Sequence, residues 1–392
     1  MIPERLQAEW LARPATQAIF AALDGAAGRT RAVGGIVRDT LVGKLRENPD
    51  IDMATELLPV AVMQRARAAG IAAYPTGLEH GTITLKLDET LAEVTTLRED
   101  VATDGRRAEV RFGTDWVRDA ERRDFTLNAL YCHADGRLFD PLGGAGDLVN
   151  SRVRFIGDAA QRIVEDGLRV WRFFRFSASH GEQRFDPEGL AACRAAVGHL
   201  DHISAERIGA EMRRMLALAQ IARTLAAMAG IGLLALDAGR LEALLRYEQL
   251  GGGAAAARLA LLAPDAIAAL QAAWRLSNAE AEAARRIDAA AALLAQEEAG
   301  WAAYRYGEAA VEGLAVVAAR ENWQRERLAE LARELGRLRV APLPVTGQDL
   351  VERGLQPGPE LGAMLRRLET AWVESGFSLT RETLLESALG ER

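Results

Sequence analysis

Apolar and polar positions alternate in five short runs of the first 150 residues, predicting strands at Arg31–Val33, Ile51–Ala54, Thr82–Leu87, Ala92–Leu97 and Arg137–Asp140. Helical spacing and helix-start residues predict helices over Pro3–Leu11, Thr16–Leu23, Gly35–Val42 and Pro59–Ala69, the last opening on a proline. After about Val153 the strand signals stop. Ala254–Ala295 is so rich in alanine that helix propensity nearly decides it, and Asn322–Leu338 alternates charge with leucine at helical spacing. Breaks are expected at Ala341–Pro344 and Gly354–Pro359. The pattern is α+β: a mixed head with a small sheet, followed by an all-helical extension.

Composition narrows the class. The 392 residues are 49% hydrophobic and 26% charged, which describes a globular chain of several modules and excludes collagen-like and disordered readings. Two cysteines, Cys132 and Cys193, can build neither a disulfide framework nor a four-cysteine zinc site, and they suit a reducing compartment. The N-terminus lacks the apolar core of a secretory signal, and the longest uncharged apolar run, Leu225–Leu236, is too short to span a bilayer, so no membrane association and a cytoplasmic location are expected. A net charge of −7 argues against a nonspecific nucleic-acid coat. The basic residues are nearly all arginine, with only Lys44 and Lys86 as lysines.

Two segments carry candidate chemistry. Val33-Gly34-Gly35-Ile36-Val37-Arg38-Asp39 sets two glycines between a strand and a helix, where backbone N–H groups can approach a phosphate and Arg38 lies one turn in. Pro49-Asp50-Ile51-Asp52-Met53 follows. Residues i and i+2 of a strand share a face, so the Asp50 and Asp52 carboxylates point one way while Ile51 and Met53 enter the core. Like charges so placed repel unless a cation lies between them, and hard Mg²⁺ ions fit carboxylate ligands supplemented by substrate phosphates.

Together, Gly34-Gly35 and Asp50-x-Asp52 resemble the signature of the DNA-polymerase-beta-like nucleotidyltransferases. Further segments narrow the resemblance to the class II tRNA nucleotidyltransferase and bacterial poly(A) polymerase family: Pro75-Thr76-Gly77-x-x-His80-Gly81-Thr82, Glu93-Val94-Thr95-Thr96-Leu97-Arg98, Arg122-Arg123-Asp124-Phe125-Thr126-x-Asn128-Ala129-Leu130, and Asp140-Pro141-Leu142-Gly143-Gly144. The resemblance is dense from Arg31 to His180. It is thinner beyond, where Ser204–Ile208 and Val345–Leu350 also look like family segments.

The resemblance implies a catalytic head over residues 1–150, a helical neck over 151–220, a body over 221–340 and a tRNA-binding tail over 341–392. It implies a two-metal Mg²⁺ site on Asp50 and Asp52, completed by Glu93 from a neighbouring strand, with one ion at the primer hydroxyl and one at the leaving pyrophosphate. By the same carry-over Gly34, Gly35, Arg38, Arg123, Asp124 and Asn128 bind nucleotide. On the residues alone, Asp124 could equally cap a helix over Phe125–Tyr131.

Glu165-Asp166-Gly167-Leu168-Arg169 adds selectivity. At i and i+3 on one helix, Asp166 and Arg169 would share a face and present an acceptor beside a donor. Cytosine and adenine each offer an amino donor beside a ring-nitrogen acceptor, whereas uracil and guanine offer the reverse. In the family this segment selects CTP and ATP without a nucleic-acid template. Gly167 stands where proline is more usual and is expected to add local freedom.

Arg98–Asp115 reads as a charged surface loop, which the resemblance makes the element that reshapes the pocket from C to A. Arginines 152, 154, 162, 172, 175 and 184 are expected to follow an RNA backbone. His199 and His202 read as polar loop residues. The resemblance implies CCA addition to tRNA 3′ ends from CTP and ATP, with no obligatory protein partner. Poly(A) polymerase, CC-only and A-only enzymes are the nearest alternatives, and an inactive RNA-binding relative is the alternative of a different class.

Overall fold

The computed structural model describes residues 2–45, 49–103, 108–264 and 266–389. These divide into two compact units, Met1–Glu211 with Gly230–Leu233, and Met212–Ala229 with Leu234–Arg392.

The first unit is built on strands β1 (Thr30–Val33), β2 (Ile51–Thr55), β3 (Ala72–Gly77), β4 (Thr82–Leu87), β5 (Thr90–Thr96), β6 (Arg98–Thr103), β7 (Ala108–Phe112), β8 (Tyr131–Cys132) and β9 (Leu138–Phe139). Seven of them form one sheet in the order β3-β4-β5-β2-β1-β8-β9, and β6–β7 is a separate hairpin. All neighbours in the large sheet are antiparallel except β2 and β5, which are parallel and pair Asp52 with Glu93. A parallel pair needs a crossover. Here it runs through a helix over Pro59–Ala68, which packs on β3, β4 and β5. Along β2, Ile51 and Met53 are buried and Asp52 is exposed; along β5, Ala92 and Val94 are buried around exposed Glu93.

Helices α1 (Glu9–Ala12), α2 (Pro14–Ala22), α3 (Gly35–Leu41), α4 (Pro59–Ala68), α5 (Trp116–Glu121), α6 (Gly144–Val149), α7 (Ala159–Glu165), α8 (Arg169–His180), α9 (Pro187–Ala196) and α10 (Ala205–Leu216) accompany the sheet. The helix expected over Pro3–Leu11 shrinks to the single turn α1, because the residues before it run extended and pair with the Gly136–Leu138 segment through an Arg5–Arg137 bridge and Leu6 N to the Gly136 carbonyl at 2.8 Å. No helix forms over Phe125–Tyr131: Thr126–Asn128 is one 3₁₀ turn, and the chain goes directly into β8. Arg98–Asp115 is ordered as β6 and β7, with Asp115 capping α5 through Val117 N at 2.8 Å; the Asp104–Arg107 tip lies outside the described residues.

The second unit is helical throughout its described residues. The alanine-rich stretch is three helices, Ala255–Leu262, Ile267–Trp274 and Asn278–Ala295, and the last begins in a capping box of Ser277 and Glu280. Near the C-terminal end, Leu350, Leu368, Trp372, Val373, Leu384 and Leu385 form a separate core, against which Trp301 and Tyr304 pack. Among the described residues no single helix is long and apolar enough to cross a membrane.

Candidate active site

The turn between β1 and α3 is made by Gly34, whose φ of 71° and ψ of −123° are open to glycine and strained for other residues. No side chain caps α3, which leaves its first-turn N–H groups without a side-chain acceptor, while the Gly34 N–H donates to the Leu130 carbonyl at 3.0 Å. A Cβ at Gly34 would lie 3.8 Å from Arg123 Nη1 and 3.6 Å from the Asn128 carbonyl, which places Arg123 directly over the turn.

Asp52 and Glu93 project from paired positions of β2 and β5, and Asp50 stands just before β2. The surrounding protein strips part of the hydration of the Asp52 carboxyl, Glu93 and Asp50 add like charge, and Arg123 and Arg38 only partly compensate; it is pushed up to about 6. Among the described residues no three His, Cys, Asp or Glu side chains converge closely enough to hold a metal ion by themselves. An exposed group of carboxylate oxygens that repel one another is nevertheless what Mg²⁺ takes when it keeps waters and shares its coordination with substrate phosphates. The donor set fits that ion.

Arg123 is fixed from behind. Buried Asp119 accepts from Arg123 Nη2 at 3.1 Å, from Arg122 Nη2 at 2.6 Å and from the Tyr131 hydroxyl at 2.8 Å. The Asp119 carboxyl would be raised by burial, but the two arginines hold it below the usual range. Sequence reasoning missed Asp119 and Tyr131. The i,i+3 and i,i+4 spacing of Asp119 to Arg122 and Arg123 was the available signal.

Asp124 does not cap a helix. Its Oδ1 accepts from Phe125 N and Asn128 Nδ2, both at 2.9 Å, and its Oδ2 accepts from Arg172 Nε at 2.6 Å. Asn128 Oδ1 in turn accepts from Arg38 Nη1 at 2.6 Å. Arg38 is buried, and its other nitrogens face Asp39 and His180. Its guanidinium is thus engaged by protein on every side.

Asp166 and Arg169 are not on one helix. The chain leaves α7 at Glu165, Asp166 is extended with φ −153° and ψ 102°, and Arg169 opens α8. Asp166 Oδ1 accepts from Leu168 N at 3.1 Å and Oδ2 from Arg207 Nη2 at 2.7 Å; Arg169 Nη1 donates to Glu165 Oε2 at 2.7 Å. The two residues stay close, since Arg169 N donates to the Asp166 carbonyl at 3.0 Å. Gly167 supplies room rather than freedom: a Cβ there would come within 2.7 Å of Ile203 and 2.9 Å of Leu200.

The arginines expected along an RNA backbone are matched to acceptors: Arg152 to Asp186, Arg154 to Asp147, Arg162 to Glu165 and the Glu121 carbonyl, Arg172 to Asp124, Arg175 to Glu211 and Arg184 to Glu182. Arg162, Arg172 and Arg175 are mostly buried and brace the fold, whereas Arg152, Arg154 and Arg184 keep much of their side chains exposed.

The chain matches the poly A polymerase head domain over residues 30–154, the probable RNA and SrmB-binding site of polymerase A over 184–236, and a putative domain 2 of tRNA nucleotidyltransferase over 255–388. It is 35% identical to the mitochondrial CCA tRNA nucleotidyltransferase 1 of Mus musculus, over 91% of this chain and 85% of that protein. It is 33% identical to the CCA-adding enzyme of Levilactobacillus brevis, over 94% of each. The fold is similar to that of the Bacillus stearothermophilus CCA-adding enzyme in complex with CTP, with a TM-score of 0.76 and 27% identity over 96% of this chain and 97% of that one.

Proposed function

The chain belongs to the class II tRNA nucleotidyltransferase family, and from that premise we propose how its residues divide the work of adding CCA to tRNA 3′ ends from CTP and ATP. Identity to CCA-adding enzymes across more than nine-tenths of the chain carries the activity.

Asp50 and Asp52, with Glu93 beside Asp52, are the residues that would hold Mg²⁺. When bound, the ions activate the primer hydroxyl and neutralise charge on the leaving pyrophosphate. The Gly34 N–H is held by the Leu130 carbonyl at 3.0 Å, so Gly34 serves by keeping the turn open while the first-turn N–H groups of α3 from Gly35 on receive triphosphate oxygens, and Arg123, aimed over the turn by Asp119, adds a fixed positive charge there. Asp124, as an acceptor, takes a sugar hydroxyl, and Asn128 lies beside it at the sugar and phosphates.

Asp166 accepts the exocyclic amino proton of C or A, and Arg169 donates to the adjacent ring nitrogen. A carbonyl in place of the amino group sets two acceptors against each other, at about 1–3 kcal/mol per unsatisfied buried group. The β6–β7 hairpin would adapt the pocket to the larger base. The terminal helices, which carry their own core, would grip tRNA as the tail. Buried free Cys132 and Cys193 suit a reducing compartment.

The experiment supplies tRNA lacking CCA with CTP, ATP or both and sizes the product. CTP alone should add two nucleotides, and the pair three. Arrest at two with both present identifies a CC-only enzyme, and a long tail from ATP alone a poly(A) polymerase.

A further inference from the structure

Six side chains form a hydrogen-bonded circuit that leaves α8 and returns to it. At the C-terminal end of the helix His180 Nε2 lies 3.0 Å from Asp39 Oδ1. Asp39 accepts from Arg38 Nε at 2.8 Å and Nη2 at 3.1 Å, and Arg38 Nη1 donates to Asn128 at 2.6 Å. Asn128 Nδ2 donates to Asp124 at 2.9 Å, and Arg172 Nε, back in α8, donates to the other Asp124 oxygen at 2.6 Å. His180 Nε2 also lies 3.0 Å from Arg38 Nε, so it closes the circuit either by donating to Asp39 or by accepting from Arg38, and Nδ1 pairs with the Ser179 hydroxyl across 2.7 Å.

Phe176 fills the middle of this circuit. The guanidinium carbons of Arg38, Arg172 and Arg175 lie 5.0, 5.4 and 4.0 Å from its ring centroid, so three cations share one buried aromatic. Arg38, Asp124 and Asn128 are 8, 8 and 7% exposed. Polar groups so far from water cannot exchange a lost partner for solvent at no cost, so the members of the ring hold one another in a single arrangement.

We propose that His180 is a positioning residue for the nucleotide site. It closes the circuit at the far end of α8 and so fixes the height of that helix against Asp124 and Asn128. Arg169, in the first turn of α8, then meets the base while Asp124 and Asn128 meet the sugar side of the same nucleotide. His180 itself touches no substrate. The proposal rests on the assignment of Asp124, Asn128 and Arg169 to the nucleotide, made above.

The test compares His180→Ala, His180→Gln and Asp124→Ala in the full-length chain, by steady-state kinetics with CTP and UTP on tRNA lacking CCA and by thermal melting. His180→Ala should raise the KM for CTP about 5- to 10-fold and lower the CTP over UTP preference about 5-fold, the scale expected when a binding group is slightly misplaced. The KM for tRNA should not move. His180→Gln, whose amide N–H can still reach Asp39, should restore both values.

Unchanged KM and preference in His180→Ala, alongside a raised KM in Asp124→Ala, would overturn the proposal and spare the site. An unchanged KM in Asp124→Ala would overturn the site assignment itself. A melting temperature that falls together with all kinetic constants, without rescue by Gln, would make His180 a structural prop and nothing more. Should the alanine variant not fold, His180→Leu fills the space without the hydrogen bond, and the same comparisons are read on it.

Discussion

The Asp166 carboxylate is held by Arg207 of α10 at 2.7 Å, and not by Arg169 three residues along its own chain. Arg169 has its own anchor in Glu165. The acceptor and the donor proposed to read the base are therefore preset by different partners, and the Asp166–Arg207 pair is partly open to solvent. Its contribution to stability is small, at most about 1 kcal/mol. Its value lies in orientation.

Asp166→Ala should consequently spare the fold and cost selectivity. The preference for CTP over UTP, and for ATP over GTP, is expected to fall by about 1–3 kcal/mol, or roughly 5- to 150-fold. Arg207→Ala should move the same ratios in the same direction by less, because the carboxylate survives but loses its guide. Single-nucleotide incorporation with each triphosphate reads both variants. A folded Asp166→Ala enzyme with wild-type selectivity would falsify the template assignment.

Asp52 is expected to couple activity to pH. Its folded-state carboxyl, at about 6, stands above the ordinary 3.8. Without divalent ions the folded chain keeps a proton between those values that the unfolded chain has released, so this group's contribution to stability falls as pH rises through that window. Asp52→Asn removes the effect, and in chelator its melting temperature should gain on the wild type between pH 4.5 and 7; parallel curves would count against the repulsive carboxylate group. Incorporation should decline below about pH 6, with Mg²⁺ pushing the acid limb lower, and Asp52→Ala should abolish addition of both C and A while tRNA binding persists.

The β6–β7 hairpin offers a different readout. Replacing its Asp104–Arg107 tip by a short glycine turn should slow A addition more than C addition, measured as the ratio of two- to three-nucleotide products at limiting time. Equal slowing of both steps would reduce the hairpin to a surface ornament.

Arg258 tests the second unit. It is fully buried, donating to the Leu216 carbonyl at 2.6 Å, to the Leu218 carbonyl and to the Ala219 carbonyl at 2.7 Å, and pairing with Glu248 at 3.2 Å. Arg258→Met leaves Glu248 charged and the carbonyls unpaired in the interior, a loss of about 3–5 kcal/mol. Denaturant unfolding measures it. A loss below 1 kcal/mol would mean that water replaces the guanidinium.

Much of the catalytic head was legible before any coordinates. β2, β4 and β5 follow from alternation, and Asp50-x-Asp52 with Gly34-Gly35 follows from turn chemistry and charge repulsion. What was not legible depends on distant partners. Nothing local says that Arg172 answers to Asp124, 48 residues away, or that Asp39 answers to His180, 141 residues away. The break at Asp166 was hidden because Glu165 and Arg169 keep helical spacing across it. β3 was missed because most of its positions are exposed and carry no alternation.

The strand order has a consequence for synthesis. β1 takes β2 on one side and β8 on the other, so its second neighbour is Tyr131–Cys132. A ribosome adding roughly 5–20 residues per second delivers that partner about 5–20 s after Val33. During that interval the nascent chain carries β1 as an open edge beside its newly made apolar strands, a template for pairing with other chains. The head should accordingly need chaperone cover early in translation and lose that need once β8 has emerged.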